Sequence, residues 1–270
     1  MTPIPPFAAG SAPDAIRRSL AATGRGAALD FMLDICALGD VDAFVHHAVA
    51  GLPRVVASEL TTLSICDLQA GTRRVIGAPG GAIGADEQAI FNALIHEHPL
   101  VRFHSSHPDG GARRISDSHP RSAFQRLALF HEYYRRIGID HVVAVPVLAS
   151  PHLVMSFVLN RKGRDFSAAD CELLNRMQPA LANLYRFATL ASAQKRSAAR
   201  AAAVAEAGVT AREHQVLGWA GQGKTDRQIA AILGVSVRTV QKHLENAYVK
   251  LGVENRSAAA ARLRGALPAA

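Results

Sequence analysis

The chain has 270 residues, of which 49% are hydrophobic and 19% charged, a length typical of two domains and a composition that argues against wholesale disorder. Its three cysteines are too few and too scattered to predict a disulfide framework or a cysteine-based zinc motif. The net charge is +8, and neither a long uncharged apolar run nor a basic segment before an apolar stretch is present, so we expect no membrane partner, no secretory signal and a cytoplasmic location.

The first elements predict the start of an α+β domain. Residues 1–24 are rich in Pro, Ala and Gly and indicate a flexible arm. Apolar residues at helical spacing predict one or two helices across 28–52, with a break near Gly39. Two β-branched runs, Leu60–Cys66 and Arg73–Ile76, flank a turn and predict a hairpin.

The following segment repeats the order of helix and hairpin. Residues 86–98 and 121–137 are predicted helices, the second one amphipathic. Two β-branched runs, His141–Leu148 and Leu153–Asn160, predict a second hairpin, and Ser167–Leu190 predicts a long helix. This order predicts an antiparallel sheet with helices packed on it.

The long helix carries an apolar seam for which two interpretations are open. Its residues recur at spacings of three and four: Leu174, Met177, Leu181, Leu184 and Ala188. Such a seam packs either inside the domain or against a second copy of the chain. Pro179 is expected to kink the helix, and the Ala-rich residues 191–208 predict a helical connector.

Positive charge is concentrated at the C-terminal end. Residues 195–270 hold 12 basic and 5 acidic residues, whereas residues 1–194 hold 18 and 17. A polyanion-binding module attached to a nearly neutral domain shows this asymmetry, and so does a solvated basic surface that binds nothing.

Capping residues and glycines divide residues 209–265 into four predicted short helices. Two of them open with the spacing of a capping box, in the pairs Thr210 with Glu213 and Thr225 with Gln228. Gly234 lies in a short turn before the predicted N-cap Ser236, which is the spacing of a helix-turn-helix. The third helix is predicted to expose side chains suited to base edges or phosphates: Arg238, Thr239, Gln241, Lys242, Glu245 and Asn246.

These residues resemble the LuxR/FixJ-type helix-turn-helix domain. The matching positions are spread over all four helices: Thr210, Arg212, Glu213, Val216, Leu217, Ala220, Gly223, Ile229, Ala230, Leu233, Val235, Ser236, Thr239, Val240, His243, Leu244, Lys250, Leu251, Val253, Arg256 and Ala259. The departures are Val209, Asp226, Gln228 and Gln241, which stand where the family usually has Leu, Asn, Glu and Lys. They bear on the target sequence rather than on the fold.

The resemblance implies double-stranded DNA as partner and a homodimer whose half-sites lie about 34–36 Å apart. RNA polymerase is a further implied partner. The predicted DNA-binding residues are Lys224, Thr225, Ser236, Arg238, Thr239, Gln241, Lys242, His243, Glu245, Asn246 and Lys250. Of these, Lys224, Thr239, His243 and Lys250 are assigned to phosphates, with a structural hydrogen bond as the alternative for His243. Arg212 and Glu213 are expected to hold the bundle together.

Residues 25–190 resemble a GAF domain. The resemblance is carried by four stretches: His98–Leu100 leading to Arg114–Asp117, Leu129–Tyr134, Gly138–His141 and Gly163–Ser167. It implies a small-molecule effector held between the sheet and the overlying loops. The candidate ligand-binding residues are Phe103, Ile115, Phe124, Phe130, Tyr133, Val143 and Val145, and most of them are expected to be core residues in any case.

Other kinds of partner domain fit less well. A phosphoreceiver needs an acidic pair in its first strand, and none precedes Asp67. An acyl-homoserine-lactone-binding domain usually presents several tryptophans, whereas the single Trp219 lies in the C-terminal module. A quorum-sensing receptor of that type is a less favoured alternative.

The histidines are clustered without forming a known metal motif. Ten of the twelve lie between His46 and His152, and His96-x-His98 has the spacing of a metal pair on one element. The spacing matches no established site, so we predict surface or loop histidines, no metal and no cofactor. No phosphate-binding loop, nucleophile elbow or H-E-x-x-H motif is present, so we predict no enzyme.

The sequence thus predicts a transcription regulator in four parts: a flexible arm (1–24), a GAF-like domain (25–190), a helical connector (191–208) and a DNA-binding domain (209–270). A different class is a protein that keeps this fold but sequesters another regulator. Glu245, an acidic residue in the outward-facing series, is the feature that favours it. An enzyme fused to a DNA-binding module is a third alternative.

Overall fold

The computed structural model describes residues 25–264 and divides the chain into two compact units, Met1–Ala191 and Ser192–Ala270. The predicted arm, residues 1–24, lies outside the described residues. The helices of the first unit are α1 (Arg25–Cys36), α2 (Val41–Val55), α3 (Ala85–Ala93), α4 (Pro99–Ser106), α5 (Arg121–Phe124) and the start of α6 (Ala168–Glu206). Its strands are β1 (Leu60–Asp67), β2 (Thr72–Ala78), β3 (Arg113–Arg114), β4 (His141–Ala149) and β5 (Leu153–Arg161).

The strands form one antiparallel sheet in the order β2-β1-β5-β4-β3. The two hairpins that the sequence predicted meet along β1 and β5, where Ser64 lies opposite Ser156. The predicted α+β class, with helices on an antiparallel sheet, is confirmed. The edge strand β3 was not predicted, because two residues carry no readable periodicity.

Alternation along the strands places a different core on each face of the sheet. Leu63, Val143 and Phe157 belong to a cluster with α1, α2 and α6. Val142, Ala144 and Val154 point the other way, into a cluster with α3, α4 and the segment 124–139. Helices therefore cover both faces, and the second cluster is the one that surrounds the cavity described below.

Helix α6 runs without interruption past the predicted end at Leu190. Its apolar seam lies in the core: Leu174, Leu181 and Ala188 are fully buried, and Met177 and Leu184 pack in the same cluster. The interpretation of this seam as a dimer surface is therefore wrong, because its side chains are already covered by the sheet and by α1 and α2. Phe187 and Leu190, at 58% and 66% exposure, lie on the outer side of the helix.

The prediction of one continuous helix over 121–137 was also wrong. The structure has the short helix α5 and then a separate π-helical turn over Phe130–Tyr134. Phe124, Phe130 and Tyr134 are all buried in the second cluster, and the ring contacts among them fix the chain more strongly than helix propensity does.

The second unit contains the four predicted C-terminal helices: α7 (Ala211–Gly221), α8 (Asp226–Leu233), α9 (Val237–Leu251) and α10 (Arg256–Arg264). Their inward side chains form a separate core that includes Val216, Ile229, Val240 and Leu244. The all-α helix-turn-helix class predicted for this part is confirmed.

Within residues 25–264, no helix is both long and apolar enough to cross a membrane.

Candidate nucleic-acid interface and cavity

The helix-turn-helix is built by local hydrogen bonds that its sequence specifies. At the start of α8, the hydroxyl of Thr225 accepts from the N–H of Gln228 at 3.3 Å, while the Gln228 side chain accepts from the N–H of Thr225 at 2.9 Å. At the start of α9, the Ser236 hydroxyl accepts from the N–H of Thr239 at 3.1 Å. These caps satisfy N–H groups that a helix start leaves without partners.

The turn between α8 and α9 depends on Gly234. This residue adopts φ 64°, ψ 36°, a left-handed conformation that a residue with a Cβ adopts only at a cost. The N–H of Val235 then donates to the carbonyl of Ala230 at 3.1 Å, and the chain turns directly into α9. The angle between the two helices is therefore set locally.

Helix α9 has one buried face and one exposed face. Val240, Leu244, Ala247 and Leu251 are buried, at spacings of three and four. The opposite face exposes five of the predicted DNA-binding residues: Arg238, Gln241, Lys242, Glu245 and Asn246. Thr239 and His243 are half-buried beside them. The structure thus brings seven predicted residues together along one accessible helix.

The other four predicted residues carry additional contacts inside the domain. The hydroxyls of Thr225 and Ser236 act as the caps described above. The carbonyl of half-buried Lys224 accepts from the Arg256 guanidinium, which also pairs with Asp226 at 2.6 Å. Asp226, one of the departures from the family pattern, therefore helps attach α10 to the start of α8.

Lys250 forms an ion pair within the domain. Its Nζ lies 2.8 Å and 3.0 Å from the two carboxylate oxygens of Glu213, whose side chain is 4% exposed. Burial opposes the charge of Glu213, but the hydrogen bonds from Lys250 and Thr210 outweigh it and hold the pKa of this carboxyl below its ordinary value. Lys250 thus has a structural role that the sequence did not reveal.

The first unit contains a partly open cavity of about 30 Å³, lined by residues of the sheet, α4 and the π-helical turn and by Phe91 of α3. Its walls include apolar side chains such as Leu60, Phe91 and Val101, and an unusual number of polar ones. The polar wall residues are Thr62, Ser64, Cys66, Arg73, His98, His104, Tyr133, Tyr134, Ser156 and Asn160.

Several polar atoms of this wall are buried without a hydrogen-bond partner among the described residues. They are Nε of Arg73, both ring nitrogens of His104 and the hydroxyl of Ser156. Buried polar groups are normally paired, so such a cluster is unusual in a core. His98, by contrast, is satisfied: its Nε2 lies 2.7 Å from the Tyr134 hydroxyl, and its Nδ1 accepts from the N–H of Leu100 at 3.2 Å.

Of the candidate ligand-binding residues, only Tyr133 lines this cavity. Val143 and Val145 lie on the opposite face of the sheet, because a shift of one residue along a strand reverses the direction of the side chain. Ile115, Phe124 and Phe130 belong to the second cluster but not to the cavity wall. Phe103 instead stacks on His107, with ring centroids 4.5 Å apart, and contacts the Arg113 guanidinium.

The sequence missed the polar wall, although a pattern for it exists. Thr62 and Ser64 alternate with Leu63 and Ile65 along β1, which is also how a strand with one face in water looks. His98 and His104 were predicted as surface or loop residues, and this was wrong, because α4 turns both of them inward. Among residues 25–264, no group of three metal-binding side chains is arranged to hold an ion.

Burial keeps the two inward histidines neutral. It lowers the pKa of His98 to about 3 and that of His104 to about 4, with nearby cations such as Arg73 and Arg113 acting in the same direction. Burial also raises the pKa of the Cys66 thiol to about 11, although Arg73 opposes this shift. At neutral pH the cavity therefore holds neutral imidazoles, a protonated thiol and the cation of Arg73.

We expect the first unit to lose stability in mild acid, because the two buried histidines are harder to protonate in the folded state than in the unfolded state. Since their folded pKa values lie below the unfolded value of about 6.5, stability is complete above that pH and falls below it, by up to about 1.4 kcal/mol per pH unit for each histidine. Urea unfolding between neutral pH and about pH 4.5, followed by near-UV circular dichroism of the tyrosines, measures this slope. His104→Gln should reduce it, whereas His96→Gln, at an exposed position, should not; equal slopes in both variants would contradict the assignment.

The C-terminal region matches a known family. Residues 207–263 fit the model of "Bacterial regulatory proteins, luxR family", and the C-terminal unit is a helix-turn-helix domain of that family. The sequence is 56% identical over 46 residues to the transcriptional activator protein EsaR of Pantoea stewartii subsp. stewartii, covering 17% of this chain and 18% of that protein. The curated relatives are therefore matched over about a quarter of their length or less.

Two matched solved structures cover more of the chain. Escherichia coli SdiA has a TM-score of 0.42 at 17% identity, covering 94% of this chain and 99% of that chain. A GAF domain from a phosphoenolpyruvate-protein phosphotransferase of Coxiella burnetii has a TM-score of 0.44 at 12% identity, covering 64% of this chain and 98% of that one. The fold class of the first unit rests on its own strand order and packing.

Proposed function

We propose that this protein is a sequence-specific, double-stranded-DNA-binding transcription regulator. The observation that carries the proposal is the exposed polar face of α9, held in place by the caps and by Gly234 inside a luxR-family domain. An exposed helix of this kind fits the major groove, where side chains contact base edges and phosphates. Residues 195–270, which include this domain, carry a net charge of +7 out of the +8 of the whole chain.

Selection of bound duplexes from a random DNA library by the full chain tests the proposal. We expect enrichment of a two-fold symmetric site, because one short recognition helix reads too few bases alone. The affinity for that site should fall steeply with salt, with a slope of log K against log salt of about −0.9 per phosphate contacted. Failure to enrich any sequence, together with a flat salt dependence, would contradict it.

The same selection separates the proposal from the antagonist alternative. That alternative rests on Glu245, which is exposed on the outer face of α9, where a carboxylate repels phosphates. An antagonist would bind another regulator and show no enriched site. Recovery of a symmetric site that Lys242→Glu abolishes would exclude it.

We further propose that the protein acts as a homodimer and that RNA polymerase is its partner at promoters. The support for a dimer within the structure is the outer face of α6, where Phe187 and Leu190 are exposed. The two residues are three positions apart and so lie on one face of the helix, and adjacent exposed apolar side chains are the kind of surface that a partner covers. Sedimentation of the wild-type chain and of Phe187→Asp tests this: loss of dimer in the variant is expected.

We also propose that the N-terminal unit regulates DNA binding by holding a small molecule, in the cytoplasm and without a catalytic step. The support is the cavity together with the buried polar atoms of its wall that lack a partner, because buried polar groups are normally hydrogen-bonded and a polar ligand would supply the missing partners. An acyl-homoserine-lactone-type receptor is the alternative. The two differ in the charge of the ligand, and the cavity wall contains the cation of Arg73.

A further inference from the structure

We propose that the cavity of the N-terminal unit binds a small organic monocarboxylate through Arg73. This rests on the proposed sensory role of that unit and names the chemical class of the occupant. Three features of the cavity support this assignment: a buried cation without a salt-bridge partner among the described residues, neutral donors and acceptors around it, and its small size.

Arg73 is a buried cation without an anionic partner. Its residue is 6% exposed, and no Asp or Glu of the described residues forms a salt bridge with it. The guanidinium lies 3.6 Å from the ring centroid of Phe91 and 3.4 Å, through Nη2, from Oε1 of Gln88. Buried charges are normally paired, and here neutral groups take the place of the counter-charge.

The charge of Glu87 reaches the cavity wall at Tyr133, where burial raises the pKa of the hydroxyl and Glu87 adds to that shift. Oε2 of Glu87 accepts from the N–H of Gly84 at 3.0 Å and thereby caps α3. Since Nε of Arg73 has no partner, one edge of the guanidinium is available for a planar anion. A carboxylate fits such an edge with two parallel hydrogen bonds.

The remaining wall supplies uncharged hydrogen-bonding groups. His104 is 0% exposed and both of its ring nitrogens lack a partner, so a neutral imidazole offers one donor and one acceptor there. The unpartnered hydroxyl of Ser156 belongs to the cavity side of the sheet, where Ser156 is the cross-strand neighbour of Ser64. The residues that line the cavity include one cation, Arg73, and no carboxylate, which matches an occupant with a single negative charge.

The volume restricts the occupant further. About 30 Å³ is the space of one or two waters, so the cavity has to widen even for acetate, and a longer occupant would require a larger change. Acyl chains of lactone signals are long and neutral, and they would leave Arg73 without a counter-charge. The chemistry of the wall therefore favours a short carboxylate over an acyl-homoserine lactone.

The test uses the full chain with acetate and formate as probes, acetamide as the neutral analogue of acetate, and sodium chloride at equal ionic strength as the blank. Thermal unfolding followed by tyrosine near-UV circular dichroism reports mainly on the N-terminal unit, which holds three of the four tyrosines. We expect a saturable rise in Tm with acetate or formate and none with acetamide. Arg73→Gln should weaken the apparent affinity about tenfold or more, as expected on loss of a charge-assisted hydrogen bond.

A matched control lies one residue away. Arg74 follows Arg73 on β2 but is exposed, so Arg74→Gln removes the same charge without reaching the cavity and should leave acetate binding unchanged. If Arg73→Gln does not fold, ¹⁵N-labelled wild-type protein provides a second measurement, in which acetate should shift the Arg73 Nε–H resonance saturably.

Three results would overturn the proposal: equal stabilisation by acetamide, no saturable response to either carboxylate, or equal losses in the Arg73 and Arg74 variants. None of these measurements contains DNA. Failure of carboxylate binding with an intact symmetric DNA site would remove the ligand assignment alone, whereas failure of the duplex selection with intact acetate binding would remove only the DNA-binding proposal.

Discussion

Lys242→Glu is expected to abolish duplex binding while leaving the protein folded. Lys242 is exposed near the middle of α9, with Arg238 one turn before it and Asn246 one turn after it. Replacing the ammonium by a carboxylate puts like charges together at the DNA surface, which costs several kcal/mol, or about a 100-fold loss of affinity or more. The helix itself should be unaffected, because Lys and Glu have similar helix propensities.

Fluorescence anisotropy with the selected duplex and with an unrelated duplex measures this loss and shows its origin. If Lys242 contacts a phosphate, the affinities for both duplexes fall together, and the slope of log K against log salt becomes less negative by about 0.9, the value for one phosphate contact. If it reads a base, the selected duplex loses more.

The control is Lys162→Glu, the same charge change at an exposed position of the N-terminal unit. It should retain nearly full affinity, since the charge lies outside the helix-turn-helix. Retained duplex affinity in a folded Lys242→Glu protein would show that α9 is not the recognition helix.

Local rules explain why the C-terminal domain was predictable from sequence. Its helix starts are set by side chains within three residues of each other, as in Thr225 with Gln228, and its turn by a glycine whose left-handed conformation is a local property. The exposed face of α9 then follows from helical periodicity. The Glu213–Lys250 pair was not predictable, because its two residues are 37 positions apart and meet only in the folded domain.

The cavity shows where such rules stop. The sheet was predicted from its β-branched runs, but which face of β4 meets which helices depends on register and on the rest of the fold. Val143 and Val145 were therefore predicted to line a cavity, although they lie on the other face of the sheet. Nothing in the sequence distinguished Arg73 from other charged strand residues. Its importance comes from burial against Phe91, a contact that only the tertiary structure creates.

Lys250→Met is expected to destabilise the C-terminal domain by about 2 kcal/mol. Removal of the ammonium leaves the Glu213 carboxylate buried, with the Thr210 N–H at 2.8 Å as its other hydrogen-bond donor. Breaking a buried ion pair costs about 3–5 kcal/mol, and the cost is lower here because a third of the Lys250 side chain is open to solvent, at 33% exposure. Methionine keeps much of the packing of the lysine stem.

Urea unfolding followed by the fluorescence of Trp219 measures this loss selectively, because Trp219 is the single tryptophan and lies against the core of that domain. Glu213→Gln combined with Lys250→Met should be less destabilised than the sum of the two single variants, since neither charge is then left alone. Unchanged stability of Lys250→Met with weakened DNA binding would instead leave Lys250 with only a phosphate-contacting role.

The pH dependence gives this pair a second, independent test. In the wild type the pKa of Glu213 is held below its unfolded value of about 4.3, so the pair stabilises the domain above that pH and the stability is lost as the pH falls through the folded pKa. In Lys250→Met the carboxylate is buried without its cation, and its pKa should rise above the unfolded value. Between about pH 6 and pH 4.5 the penalty of the variant relative to the wild type should therefore shrink as the pH falls. A penalty that is constant over this range would show that Lys250 stabilises the domain through packing and not through its charge.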